Sequence, residues 1–186
     1  MPSGLQNNRM AAVEYSPELL GNMQKQVRLC IPEIKEPEKV FVRLNTEDDN
    51  KAKHSIQAAW HVITFNLYSE AGNSIEEKLN ESHIFFERVA LDAIALKGDK
   101  AAVAAVEGMD YCINEAIRSG MMLKQSWRRY ERIAERAIKQ SLINASSMAL
   151  KSMYAAAERF QLTTDRDFSE SYAVLKRKYE NTLGKF

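Results

Sequence analysis

The pairing of helix-start and helix-stop signals around segments of helical apolar spacing is the feature that most limits how this chain folds. In the first such segment, Ser16-Pro17-Glu18 supplies a capping side chain, a first-turn proline and an acid, and Pro32 ends the helix. Between these signals, apolar residues recur at the spacing of one helix face: Leu20, Met23, Val27 and Cys30. The pattern predicts a helix over residues 17–31.

The same signals recur along the rest of the chain and predict five further helices. A capping box opens the helix at Ser74, and a similar motif with Asp in place of Glu opens the one at Thr46. Asp99 caps the next helix, and Thr164 or Asp165 caps the last. These predicted helices cover roughly residues 46–71, 74–97, 99–118, 121–160 and 164–184. The long helix over residues 121–160 is expected to bend near Asn144-Ala145-Ser146-Ser147, where polar side chains compete for backbone hydrogen bonds.

Turns of only a few residues join these helices, and short turns make neighbouring helices antiparallel. We therefore expect an all-α fold, an antiparallel (up-down) bundle of five to six helices, with residues 1–186 forming a single helical domain. Residues 1–15 are expected to be a flexible N-terminal segment. Residues 32–45 are expected to form an extended connector over part of the core, and Val40-Phe41-Val42 within it has the composition of a short strand but no partner strand.

Composition limits the function classes. Apolar residues make up 45% of the chain and the net charge is +1, so any attraction for an acidic partner must come from a local patch. No secretory signal is visible and no run of about 18 apolar residues occurs. We therefore expect a cytoplasmic protein, or one that acts inside a cell to which it is delivered, without a membrane partner. Cys30 and Cys112 lie in apolar helical segments and are expected to be buried thiols, with a disulfide left open as the alternative.

Two of the predicted helices have apolar residues on two faces. After Thr46, a stripe from Ala52 to Leu67 is opposed by a face of histidines and aromatic side chains, and after Ser74 a second apolar line opposes the main stripe. A peripheral helix needs only one stripe, so these helices are either central in the bundle or at an interface between chains. The candidate partner-interface residues are His61, Phe65, Tyr68, Ile84 and Leu91.

A basic stripe is the second candidate contact surface. Residues 118–139 contain seven Lys or Arg and two Glu, whereas residues 66–92 contain six acids and two bases. Spacings of three and four residues place one line of cations on a single helix face, with Arg128 beside it: Arg129, Arg132, Arg136 and Lys139. Three roles fit such a stripe: a solvated face that pairs with nearby glutamates, a track for a phosphate backbone, or a contact for an acidic protein, including a second copy of the chain.

Small residues and missing motifs complete the prediction. The helix after Asp99 carries Ala101, Ala102, Ala104, Ala105 and Gly108, which predict a tight contact between two helices. The chain has no Glu-x-x-His motif, no Gly-x-Ser-x-Gly motif and no glycine-rich phosphate loop. His54 and His61 share a face but supply only two metal ligands, so no metal and no other cofactor is expected, and no catalytic residue is assigned.

We therefore expect a non-enzymatic helical module for protein-protein interaction or assembly, which self-associates or binds a protein partner. The alternative is a protein that binds nucleic-acid backbones through Arg128 and the basic stripe within a larger assembly. The near-zero net charge counts against this alternative, because dedicated nucleic-acid binders have strongly basic domains. A small bundle enzyme with carboxylate chemistry is a third hypothesis.

Overall fold

The computed structural model describes residues 49–66, 75–123 and 125–186, and these form six α-helices. They are α1 (Asp49–Asn66), α2 (Ile75–Ala95), α3 (Asp99–Arg118), α4 (Ser126–Lys139), α5 (Ile143–Arg159) and α6 (Arg166–Leu183). No strand occurs in this part of the chain, so the all-α prediction is confirmed. The predicted segments at residues 1–15, 17–31 and 32–45 lie outside the described residues.

The helices pack into one bundle around α3. This helix contacts α1, α2 and α5, while α4 contacts α2, α5 and α6, and α5 also contacts α6. Ala52 and Ile56 of the predicted α1 stripe are buried, and the fully buried large side chains of the bundle include Leu79, Phe86, Met109 and Tyr130. None of the helices in the described ranges has the length and hydrophobicity needed to cross a membrane.

The contact between α2 and α3 is the tight helix-helix seam that the small residues predict. All four alanines of the series are buried, and Gly108 is buried beside Phe86. A Cβ atom added at Gly108 would lie only 2.7–2.8 Å from three carbon atoms of the Phe86 ring. The missing side chain at Gly108 therefore lets the aromatic ring lie directly against the backbone of α3.

Four helices end with the same backbone motif. After α2, α3, α4 and α5, one residue adopts a left-handed conformation, and the next N–H donates to the carbonyl oxygen of a buried alanine five residues earlier. This is the Schellman arrangement, which satisfies carbonyl groups at a helix end. The left-handed residues are Lys97, Gly120, Ser141 and Gln161.

The prediction of one long helix over residues 121–160 is wrong. The chain forms α4 and α5 instead, separated by Gln140, Ser141 and Leu142. Ser141 adopts φ 58° although it is neither glycine nor asparagine, and the buried Leu142 side chain fixes the turn to the core. No glycine or proline marks this break, so the local sequence contains no stop signal. The predicted bend at 144–147 falls inside the first turns of α5.

Two aspartates cap neighbouring helices rather than their own. Asp49 of α1 accepts hydrogen bonds from the backbone N–H groups of Lys100 and Ala101, at 2.9 and 2.8 Å, at the start of α3. Asp99, predicted to cap its own helix, instead accepts from the backbone N–H groups of Asn144 and Ala145 at the start of α5. That prediction is wrong because Asp49 already accepts the hydrogen bonds of the N–H groups at the start of α3. At α6 the prediction is confirmed, since Asp165 accepts from the Phe168 N–H and Gly184 ends the helix.

Candidate functional site

A polar cluster joins α2 to α4. Arg129 donates from Nη1 to His83 Nδ1 at 2.9 Å and from Nη2 to Asn80 Oδ1 at 2.8 Å, and its Nε lies 3.8 Å from Glu87 Oε2. Arg132 donates from Nε to Glu87 Oε1 at 2.7 Å, and its Nη2 lies 2.6 Å from the same oxygen. The spacing of Asn80, His83 and Glu87 puts them on one side of α2, where α4 reaches them.

Burial sets the charge states in this cluster. His83 is fully buried, and burial, followed by the charge of Arg129, holds the pKa of its imidazole well below the usual value. The ring is therefore neutral at pH 7. Since a guanidinium only donates, His83 Nδ1 must be the acceptor, and the proton sits on Nε2. Burial also lowers the pKa of Arg129, against the charge of Glu87, but a guanidinium keeps its proton in proteins.

These contacts engage three arginines of the basic stripe and its flank within the bundle. The Arg129 side chain is only 11% exposed, and Arg132 is paired with the buried carboxylate of Glu87. Arg128 lies over the Trp127 ring, 4.5 Å from its centroid, with Nη2 3.3 Å from Asp167 Oδ2 on α6. The partners of these three arginines therefore come from within the bundle, mainly from helices distant in sequence.

Arg136 and Lys139 remain at the open end of the stripe. Both are exposed, and no acidic group in the described ranges pairs with either of them. They line a groove of about 440 Å³ between α2 and α4, which we call the docking groove: Leu91, Ile94, Ala95, Glu135, Arg136, Lys139 and Gln140. Its floor is apolar, and Glu135 lies 3.8 Å from Lys178 of α6, which balances its charge. Two cations therefore flank an apolar floor.

The other end of the same face is acidic. Glu76 and Glu77 are exposed on the first turn of α2, close to Met122, whose side chain is 46% exposed. They line a second groove, of about 660 Å³, together with Asn80, Leu123, Gln125 and Arg129. We call Glu76, Glu77 and Met122 the acidic end.

The predicted partner-interface residues divide between these surfaces and the undescribed part of the chain. Ile84 and Leu91 are half-buried and lie seven residues apart on the outer line of α2, so they share one face, and Leu91 lines the docking groove. His61 and Phe65 belong to α1, but their side chains, like all of Tyr68, lie outside the described residues. The structure therefore brings Leu91 together with Arg136 and Lys139, two sets that the sequence treats separately.

A second polar cluster crosses the core next to the first. The Tyr130 hydroxyl donates to Asp110 Oδ1 at 2.7 Å, and the Ser152 hydroxyl donates to Asp110 Oδ2 at 2.8 Å. Burial raises the pKa of Asp110 to about 6, although both hydrogen bonds act in the opposite direction. Asp110 opens into a cleft of about 210 Å³ between α3 and α5, with Lys151 and Arg159 at the rim. This volume is below the range of about 300–1,000 Å³ that is usual for ligand pockets.

The described residues contain no group of three His, Cys, Asp or Glu side chains arranged to hold a metal ion. His54 is exposed on α1, and His83 is enclosed by the polar cluster. Cys112 is buried on α3, as predicted, and Cys30 lies outside the described residues.

Sequence reasoning missed the polar cluster although part of the signal was present. Asn80, His83 and Glu87 are spaced by three and four residues, and Arg129 and Arg132 by three. Two polar lines of this spacing on separate helices indicate a buried polar contact only when the helices are known to pack side by side. Asp110, Tyr130 and Ser152 lie on three different helices, so no local pattern links them.

Comparison with known proteins finds no matching protein-family model, no matching curated protein and no matching solved structure.

Proposed function

We propose that this chain is a helical protein-interaction module that binds a partner on the face formed by α2 and α4. The observation that carries the proposal is the docking groove, in which Arg136 and Lys139 flank the apolar floor formed with Leu91 and Ile94. A groove of this kind fits an amphipathic helix, because apolar anchors fill the floor while charged residues pair along the rim. The charge of the rim calls for acidic residues on the partner.

The rigidity of the face supports the same conclusion. Arg129 and Arg132 fix α4 to α2 through buried contacts with His83, Asn80 and Glu87, so the two walls of the groove are held at one spacing. A preformed groove loses less side-chain freedom on binding than a flexible one. The polar cluster therefore acts as the support of the docking groove, while Arg136 and Lys139 make the contact.

The nucleic-acid alternative receives less support from the same contacts. Arg129 is nearly buried, and Arg128 and Arg132 have acidic partners within the bundle. Glu76 and Glu77 lie on the face that a phosphate backbone would have to follow, and they repel it. Arg136 and Lys139, the two exposed cations of the stripe without an acidic partner in the described ranges, are too few for the roughly six to ten phosphate contacts that make binding strongly salt-dependent.

The test uses a labelled model helix that carries leucines at spacings of three and four residues with glutamates beside them. We expect fluorescence anisotropy to detect binding to the full chain at about 10–100 μM, weakening as salt is added. The substitution pair Arg136→Ala and Lys139→Ala should weaken binding about tenfold, because two exposed ion pairs contribute about 0.5–1 kcal/mol each. Leu91→Ser should weaken it by a similar factor through the lost apolar contact.

The matched control replaces two exposed cations outside the face, Lys151→Ala and Arg177→Ala, and should leave the affinity unchanged. A second probe carries lysines in place of the glutamates and should not bind. Equal binding of both probes, or of the groove variant and the control variant, contradicts the proposal. Tighter binding of a single-stranded oligonucleotide than of the acidic helix, lost with Arg136 and Lys139, would support the nucleic-acid alternative instead.

A further inference from the structure

The α2–α4 face has a direction, because the two helices run parallel along it. Arg129 of α4 lies level with Asn80 and His83 of α2, and Arg132 lies level with Glu87. Farther along, Arg136 and Lys139 line the groove with Leu91 and Ile94. Level positions on the two helices therefore advance together, from the acidic end to the docking groove.

The two ends have opposite charge and lie at different levels along α2. On α2, the acidic end is centred between residues 76 and 77, and the residues that line the docking groove span 91–95, with their centre at residue 93. At 1.5 Å per residue, the distance between these centres is about 25 Å. Between the two ends, the polar cluster holds two cations, Arg129 and Arg132, and one carboxylate, Glu87, so its net charge is only +1, and Arg129 is 11% exposed.

The midpoint between the two ends falls between residues 84 and 85, and Ile84 is the more exposed of the two because Phe85 is buried. Ile84 is half-buried on the same line of α2 as Glu77 and Leu91. A twofold axis at the level of Ile84, lying in the plane of the interface and running across the two helices, would place the acidic end of one copy over the docking groove of the other. Both pairs of ends would then match in charge, with apolar residues at the centre and beside each charged group: Met122, Ile84 and Leu91.

We propose that the partner of the docking groove is a second copy of this chain, which binds face to face about a twofold axis at Ile84. This inference rests on the proposed function and names its partner. Such an interface is isologous, so each copy supplies the same acidic end and the same docking groove. The acidic residues that the groove requires are then Glu76 and Glu77 of the second copy.

The size of the face is sufficient for a small specific interface. The 21 residues of α2 span about 32 Å, and two helices at about 9 Å between axes form a surface about 18 Å wide. Each copy therefore contributes on the order of 600 Å², and the total lies at the lower end of specific interfaces. We expect a dissociation constant in the micromolar range that increases with salt, because the interface is small and depends on charged contacts.

The test is a charge exchange followed by sedimentation equilibrium of the full chain from 5 to 300 μM. The wild type should approach twice the monomer mass of 21.2 kDa at the higher concentrations. Glu76→Lys with Glu77→Lys makes both ends basic, and Arg136→Glu with Lys139→Glu makes both ends acidic. Each pair of substitutions should weaken self-association at least tenfold, and an equimolar mixture of the two variants should form a heterodimer.

The chain that carries all four substitutions adds a stricter requirement. It should associate with itself as the wild type does, but differently labelled copies should show no energy transfer with the wild type, because like charges then meet at both ends. Charge-matched controls on α5 and α6 should associate normally: Glu158→Lys with Glu180→Lys, and Lys151→Glu with Arg177→Glu. Circular dichroism and the thermal midpoint establish that each variant is folded.

Three results would overturn this inference: a monomeric wild type at 300 μM, undiminished association in both charge-exchanged variants, or a mixture of folded variants that does not associate. The acidic model helix separates this failure from failure of the proposed function. If the chain is monomeric but the helix binds through Arg136 and Lys139, the groove binds a different acidic protein and only the second-copy inference fails. If neither the helix nor a second copy binds, both fail.

Discussion

Replacing Gly108 with alanine sets two opposing effects of known size against each other. In an exposed helix interior this change stabilises a protein by about 0.5–1 kcal/mol, because glycine loses more backbone freedom on folding. In this bundle the new Cβ would lie 2.7–2.8 Å from three ring carbons of Phe86. Carbon atoms pack best at about 3.5–4.0 Å, so the ring or the backbone of α3 must move by roughly 1 Å.

The ring has little freedom to move away. Phe86 is fully buried, and its centroid lies 5.3 Å from that of Phe85 in an edge-to-face contact. Overpacking of a filled core costs about 1–3 kcal/mol, and contact with a stiff aromatic ring places this case toward the upper end. After subtraction of the helix-propensity gain, we expect Gly108→Ala to lower the free energy of unfolding by about 1–2 kcal/mol.

Chemical denaturation followed by circular dichroism at 222 nm measures this difference. The midpoint should fall while the denaturant dependence stays constant, and the thermal midpoint should drop by about 2–8 °C. Phe86→Leu removes two of the three clashing ring carbons, Cε1 and Cζ, so the double variant should be more stable than the sum of the single effects implies, by about 1 kcal/mol or more. A gain in stability from Gly108→Ala alone, or simple additivity of the two changes, would refute the reasoning.

Three further predictions concern the helix ends and the buried acid. Ser141→Gly should raise the free energy of unfolding by about 0.5–1 kcal/mol, because it removes the strain of a serine in the left-handed conformation. Gly120→Ala, at the equivalent position after α3, should lower it by about 1 kcal/mol for the same reason. Urea unfolding of both variants checks these opposite signs. Asp99→Ala should cost about 1 kcal/mol through the lost cap of α5, and Asp99→Asn, which keeps an acceptor oxygen, should cost clearly less; equal losses would count against a capping role. Because the pKa of Asp110 is raised to about 6 in the folded chain, the unfolded chain loses this proton at lower pH than the folded chain does. The free energy of unfolding should therefore fall as the pH rises from about 4 to about 6. The expected loss is roughly 3 kcal/mol, at about 1.36 kcal/mol per pH unit. Asp110→Asn should remove that part of the pH dependence in unfolding measured from pH 4 to 8, and identical pH profiles for the variant and the wild type would contradict it.

The helices could be predicted because their signals are local. The spacing of apolar residues along α2 predicts a buried stripe, in which Leu79, Phe86, Val89 and Ala93 are buried and Ile75, at the first turn, is half-buried. The Asp165 cap and the Gly184 end of α6 follow from single residues in the same way. Such features depend on the backbone and side chains of one segment, so they can be predicted without knowing how the helices pack.

The end of α4 could not be predicted for the same reason. Ser141 has no local preference for a left-handed conformation, and the turn is held by Leu142, which packs into a core built by other helices. The role of Asp99 likewise depends on Asp49, fifty residues earlier, which occupies the start of α3. A local sequence pattern cannot show which of two distant side chains accepts hydrogen bonds from the same N–H groups.

The sequence by itself determined that this chain forms amphipathic helices, that two of them have a second face, and that a line of cations runs along α4. Only the tertiary structure decided which cations are available, because a buried Glu87 and a neutral His83 on α2 hold Arg132 and Arg129, while Arg136 and Lys139 have no acidic partner in the described ranges. A charge in water attracts any opposite charge weakly, whereas a charge enclosed between two helices must be matched by a particular neighbour. Which neighbour that is depends on how the helices pack, and the periodicity of one helix contains no information about it.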